Sequence, residues 1–361
     1  MDMNQVLAAE LNVKPWQVEA AVKLIDEGNT IPFISRYRKE ATGSLNDEVL
    51  RNLYDRLMYL RSLNDRKAVV LASIEEQGKL TAELKKSIEE AATLVVVEDL
   101  YRPYRPKRRT RATIAKEKGL EPLANIILLQ MTKEPLEKEA EAFVSEEKEV
   151  KTEKDAIAGA CDIIAESISD EADYRMEIRR RTEAKGLIVS TAKDEKAESV
   201  YENYYEFSEP VSKIAGHRVL ALNRGEKEKF LNVKIEAPTE EILRYLEKKI
   251  ITKENPQTKP VLQATIEDAY NRLIAPAIER EVRNQLTEKA EDGAIKVFGK
   301  NLEQLLMQPP IAGQVVLGWD RRSVRDASWL LSMRLEKCSI PPWFIRPRRR
   351  TRRRLRQRKP L

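Results

Sequence analysis

The sequence changes character at Asp320, and only the part before it has the apolar patterning needed to build a core. Up to Asp320 there are 50 Lys and Arg against 57 Asp and Glu, a net charge of −7. From Arg321 to Leu361 there are 13 Arg and 2 Lys against Asp326 and Glu336, a net of +13, so the +6 of the whole chain comes from its last stretch. The closing run RPRRRTRRRLRQRKPL has no apolar period and too little hydrophobic surface to offset the entropy of ordering it. Residues 321–361 are therefore expected to be a disordered basic tail, and expectations about fold rest on what precedes it.

A basic tail of this kind ordinarily reads as a nucleic-acid-binding arm. A second reading comes from the codons. With one base inserted after the codon for Asp320 and synonymous codons chosen freely, the segment becomes DPAFRTGCKLAVVDETGKVLDTTVVY, which is two apolar strands separated by Gly-containing turns. Trp329, Met333 and Trp343, which each have a single codon, are compatible with that frame. The tail is expected to be an out-of-frame translation following loss of a base.

Before Asp320 the apolar residues recur at helical spacing almost throughout. Pro15 opens a helix with Val18, Ala21, Val22 and Ile25 on one face, stopped by Gly28. Asn46 is a predicted N-cap, with Asp47 and Glu48 in the first turn where the helix dipole favours acids. Leu50, Leu53, Leu57, Leu60 and Leu63 continue that helix as a stripe, extended by Val70 and Ile74, up to a stop at Gly78. Thr81 is predicted to cap the next helix. Pro103 and Pro106 exclude a continuous helix between Val95 and Gly119. Further helices are predicted at 122–131, 134–144, 152–168, 240–250, 261–291 and 294–306, with a basic helix ending at Gly186. Strands are predicted at 187–191 and 230–235, the second after a turn-rich NRGEKEK. Pro309 and Pro310 read as a linker.

These patterns exclude several function classes. Two cysteines, Cys161 and Cys338, cannot make a disulfide framework or a metal quartet. The start, MDMNQVLAAELNV, lacks the basic and apolar regions of a secretory signal, and no apolar run approaches the length of a membrane span. A soluble cytoplasmic protein without membrane association is expected. Nucleotide-binding glycine loops and serine-hydrolase signatures are absent, and neither a cofactor nor a metal is expected. His217, the only histidine, has no nucleophile or carboxylate tied to it by spacing, and a turn or a buried hydrogen bond is its expected role. The chain is read as non-enzymatic.

The strongest binding signal is Tyr101 to Arg111. Arg102, Arg105, Lys107, Arg108, Arg109 and Arg111 crowd there beside Tyr101 and Tyr104. Guanidinium groups pair with phosphates and tyrosine rings stack on unpaired bases. The opposing reading is structural: the same arginines can clamp the loop onto acids such as Glu98 and Asp99. A second cluster, Arg175, Arg179, Arg180 and Arg181, reads either as a binding surface or as an ordinary charged helix face.

The strings TIPFISRYRKEATGSLNDEVLRNL, EDLYRPYRPKRRTRATIAKEKGLEPLA, HRVLALNRGE and LLMQPPIAGQVVLGWD resemble the bacterial Tex proteins, transcription accessory proteins related to the eukaryotic elongation factor Spt-six. The resemblance runs to Asp320. It implies a mainly α fold: a multi-helical N-terminal region with a helix-turn-helix-like element, a small αβ insertion and the incomplete start of an RNase H-like domain. The corresponding divisions are residues 1–195, a central helical region with short strands at 196–308, the RNase H-like start at 309–320, and the tail at 321–361. The resemblance implies that Asp320 corresponds to a first-strand carboxylate of the RNase H-like domain, that helix-hairpin-helix modules and an S1 domain follow in full-length members, and that this chain is expected to be a fragment without the rest of that domain and the S1 domain. The implied function is nucleic-acid binding, RNA in particular and DNA second, in association with the transcription machinery. The alternative is a helical protein-interaction scaffold that leaves nucleic acid to other domains.

Overall fold

Local sequence signals set the helix boundaries that the rest of the fold is built on. The computed structural model describes residues 3–106, 108–145, 148–194 and 196–309, together with the backbone of strands at 316–322, 326–333 and 337–338. The described chain divides into two units, Met1–Glu291 and Asp292–Leu361. The fold is mainly α with a small antiparallel sheet, as the sequence predicts.

The first unit opens with helices α1 (Met3–Leu11), α2 (Pro15–Asp26), α3 (Ile31–Tyr37) and α4 (Asp47–Glu76). The Asn46 side chain accepts from the Val49 N–H at 2.7 Å, the expected N-cap of α4. α2 and α4 both end just before a glycine at positive φ, Gly28 at +84° and Gly78 at +66°, conformations open to glycine at little cost. The stripe of α4 serves two clusters in succession. Leu50, Leu53 and Leu57 pack with Leu7, Val18, Ala21 and Ile34. Leu63, Val70 and Ile74 pack with Ile88 of α5 (Ala82–Glu90) and Val97 of α6 (Leu94–Tyr101). Each such side chain stabilises the fold by about 1.5–3 kcal/mol relative to exposure.

The largest cluster joins α7 (Arg111–Glu117), α8 (Glu121–Leu129), α9 (Leu136–Glu141), α10 (Glu153–Asp170) and α11 (Ala172–Lys185) to later helices. α10 is its centre, with Ala156, Ala160, Ile163, Ile164 and Ile168 buried. Its start is a reciprocal cap: Thr152 Oγ1 accepts from the Asp155 N–H, and the Asp155 carboxylate accepts from the Thr152 N–H.

The sheet has β1 (Leu187–Ala192) in the middle, with β2 (Glu206–Pro210) and β3 (Leu231–Glu236) antiparallel on either side. Ile188, Leu231 and Val233 face Leu222 of α12 (Gly216–Lys227). β1 and β3 match the predicted strands, whereas β2 and α12 were not legible. The short edge strand EFSEP is acidic and ends in proline, and Gly225 within NRGEKEK suggested a turn where the chain is helical to Lys227. His217 occupies neither a turn nor a buried site; it is exposed in the first turn of α12.

The last helices of this unit are α13 (Thr239–Ile250), α14 (Lys259–Asp268) and the start of α15 (Ala275–Leu306), the last two joined by a π turn at Ala269–Ile274. The two helices predicted at 261–291 and 294–306 are thus divided differently, with α15 running through Gly293. In the second unit α15 exposes Ile295, Val297, Phe298, Leu305 and Leu306, and Met307 just after it is also exposed. Beyond it, β4 (Val316–Arg322), β5 (Asp326–Met333) and β6 (Lys337–Cys338) pair antiparallel, Trp319 opposite Trp329. The end of β4, β5 and β6 fall within 321–361, the stretch expected to be a disordered tail. The arginine-rich end, 339–361, lies outside the described residues. Among the described residues no helix is long and apolar enough to cross a membrane.

Candidate nucleic-acid interface

Proline spacing converts the end of α6 into an arm. Thr93 caps α6, and after Tyr101 the chain turns through a 3₁₀ segment, Arg102–Tyr104, with Pro103 in its first turn. The arm ends where Thr110 caps α7, its Oγ1 accepting from the Thr113 N–H at 3.0 Å. Two anchors hold its base on α4: the Tyr101 hydroxyl is 2.9 Å from Ser73 Oγ, and Gln77 Nε2 donates to the Tyr104 carbonyl at 2.8 Å. Tyr101 is buried, with the Arg66 guanidinium over its ring, so it cannot serve as a stacking platform for bases.

The arm's basic residues separate into kinds. Arg102 is drawn inward, its Nε 3.3 Å from Asp170 Oδ1. Burial, and then the neighbouring Arg175 cation, push its guanidinium below the usual range. Arg109 pairs with Glu117 at 2.8 Å, both well exposed. Arg105, Arg108 and Arg111 are exposed and make no ion pair among the described residues. Lys107 lies outside the described residues. Arg102, Arg105, Arg108 and Arg111 together line a cleft of about 770 Å³.

The opposite wall of the cleft is acidic. Asp162, Glu166 and Asp170 follow one another at four-residue spacing on α10, which places them on one face. Arg272 reaches this wall from the π turn and bonds Asp162 at 2.8 Å and Asp268 at 2.5 Å. No sequence signal pointed to Arg272, since it sits inside a long helical pattern whose partner lies on a separate helix.

Glu98 and Asp99 do not clamp the arm. Glu98 pairs with Arg66, and Asp99 belongs to a buried network with the second arginine cluster. Arg175 Nε donates to Asp99 and its Nη2 to Glu281, both at 2.7 Å; Arg179 Nη2 donates to the same two carboxylates at 2.8 and 2.7 Å. Arg175 is fully buried. Burial works to lower the Arg179 guanidinium, but Asp99 and then Glu281 overcome it and the net shift is upward. Glu177 takes up Arg180 and Arg181, and the hydrogen bonds from Arg180 and then Arg181 hold its carboxyl at about 2 against an ordinary 4.5. Arg175 and Arg179 are therefore committed to the interior, while Arg180 and Arg181 are paired at its rim. Residues 175 and 179 share the inward face of α11, and that face packs on α6 and α15.

Among the described residues no group of three or more potential ligands is placed to hold a metal ion. Residues 1–75 match the Tex-like protein N-terminal domain, and residues 130–298 match the Tex central region-like family. The uncharacterized protein YdcI of Bacillus subtilis is 50% identical over 321 residues, 88% of this chain and 45% of its own length. The transcriptional accessory protein Tex of Neisseria gonorrhoeae is 38% identical over 330 residues, 89% of this chain and 43% of that protein. The human S1 RNA-binding domain-containing protein 1 is 30% identical over 335 residues, 88% of this chain and 33% of that protein. The chain belongs to the Tex family. It spans less than half the length of these relatives.

Proposed function

We propose that this chain supplies a nucleic-acid contact to a cytoplasmic transcription accessory protein of the Tex family, with RNA as the first ligand and DNA as the second, and that it acts by binding and not by catalysis. The observation that carries this reading is the difference between arginines. Arg105 and Arg108 on the anchored arm and Arg111 at the start of α7 have no carboxylate partner among the described residues, while Arg175 and Arg179 are taken up by Asp99 and Glu281 and Arg180 and Arg181 pair with Glu177. Unpaired guanidinium groups on a fixed arm are poised for phosphate, and a chain with net −7 before its tail directs a polyanion to such local patches. The names of the gonococcal and human relatives point the same way. The helix-turn-helix-like element and the RNase H-like start belong to the same proposal.

The test is binding of the full chain to single-stranded RNA and to duplex DNA across a potassium chloride series. The tail is common to wild type and variant, so its contribution cancels in the difference. Arg105, Arg108 and Arg111 changed together to Ala should reduce the slope of log affinity against log salt by about 2 on single strands. An unchanged slope would remove the arm from the interface. The scaffold reading has its own observation, the exposed apolar side chains of α15 from Ile295 to Leu306, and it becomes the better account if the triple variant binds like wild type.

A further inference from the structure

A second basic groove lies on the central region, between α13 and the end of α11. Glu241, Arg244, Tyr245, Lys248 and Lys249 share one stripe of α13 at i, i+3, i+4, i+7 and i+8, while Ile242 and Leu246 are buried in the core. Arg181 of α11 forms the other wall, and the groove between has a volume of about 660 Å³. The Arg181 guanidinium lies 4.8 Å over the Tyr245 ring, and Tyr174 meets that ring edge-on at 6.3 Å, so the wall is held in place.

The acids around the groove are already engaged. Glu241 receives Lys185 at 2.7 Å, and Glu177 is shared by Arg180 and Arg181. Arg244 meets Glu240 at 3.1 Å, but both side chains are more than three-quarters exposed, so water screens that pair and phosphate can displace it. Lys248 and Lys249 are exposed and without an ion pair among the described residues. Complementing the helix dipole accounts for two lysines in a last turn. It does not account for an arginine brought to the same groove from a neighbouring helix and stacked on a tyrosine.

We propose that this groove binds the phosphodiester backbone of a single-stranded polynucleotide, with Arg244, Lys248 and Lys249 neutralising phosphates and Tyr245 positioning Arg181. A groove of about 660 Å³ between two rows of side chains matches a single strand rather than a duplex. RNA and single-stranded DNA share this chemistry. The site is separate from the arm and does not require the arm to bind.

The full chain is crosslinked to an oligouridylate carrying 4-thiouridine and, in parallel, to an oligothymidylate carrying 4-thiothymidine, and crosslinked peptides are mapped. Crosslinks are expected within Thr239–Ile250, and the stronger oligomer identifies the ligand. Lys248→Ala with Lys249→Ala should remove them and lower the salt slope by about 1.4, roughly 0.7 for each phosphate contact on a single strand. Lys248→Arg with Lys249→Arg should restore both, which separates charge from helix stability. The Arg105, Arg108 and Arg111 triple variant should keep these crosslinks, so a failed arm leaves the groove standing. Absence of crosslinks on α13 in wild type, or crosslinks unchanged in the double alanine variant, overturns the proposal.

Discussion

The two arginine clusters are alike in composition and opposite in use. The arm carries Arg102, Arg105, Arg108, Arg109 and Arg111, and α11 carries Arg175, Arg179, Arg180 and Arg181. On α11 the guanidinium groups meet Asp99, Glu281 and Glu177 and become part of the interior or of its rim. On the arm, one arginine turns inward, one makes an exposed pair, and three face solvent without a partner among the described residues. A run of arginines is thus a binding signal only where the fold leaves guanidinium groups with no carboxylate in bonding reach.

The largest effect should come from the buried side of this comparison. Arg175→Leu removes a fully buried cation and leaves Asp99 and Glu281 sharing Arg179 alone. A loss of about 3–5 kcal/mol is expected, as for other buried pairs broken on one side, read from urea unfolding. A variant as stable as wild type would show that the network is ornamental.

The arm should behave in the opposite way. Changing Arg105, Arg108 and Arg111 to Ala should leave unfolding within about 0.5 kcal/mol of wild type, as exposed substitutions do, while reducing RNA affinity at low salt. Loss of stability comparable to that of Arg175→Leu would place the arm with the structural cluster.

A smaller effect follows pH. Glu177 titrates at about 2 in the folded chain and near 4.5 when unfolded. Its depressed value means a stabilisation that is complete above about pH 4.5 and lost as pH falls towards 2. Because the Arg180 side of the pair is open to solvent, which screens it, the gain is modest. Comparing wild type with Glu177→Gln, the stability difference measured at pH 7 should shrink as the pH is lowered through 4 and 3. A difference that does not change with pH would assign the contribution of Glu177 to packing.

The smallest effect is expected at Arg109. Its pair with Glu117 is exposed on both sides, so Glu117→Gln should alter stability by less than about 1 kcal/mol. The freed guanidinium should raise RNA affinity slightly at low salt, and a decrease instead would mean that Glu117 orders the arm for binding.

Much of the fold was legible residue by residue. The Asn46 and Thr81 caps, the Gly28 and Gly78 stops and the α4 stripe all act within a few positions of the chain, so their meaning survives without the tertiary structure. The arm was legible as a break in helical pattern rich in arginine. Its internal division was not, because burial of Tyr101 depends on Ser73 and Arg66 from another helix. β2 escaped because an edge strand needs pairing on only one side and carries no apolar run.

By itself the sequence determined where helices start and stop, which faces are apolar and how charge divides at Asp320. Only the tertiary structure decided which arginines remain available. Arg175 finds Asp99 and Glu281 at separations of 76 and 106 residues. Helix boundaries depend on hydrogen bonds between near neighbours, whereas the fate of a charge depends on which opposite charge the packed chain brings within 3 Å or so and on how much water that packing removes.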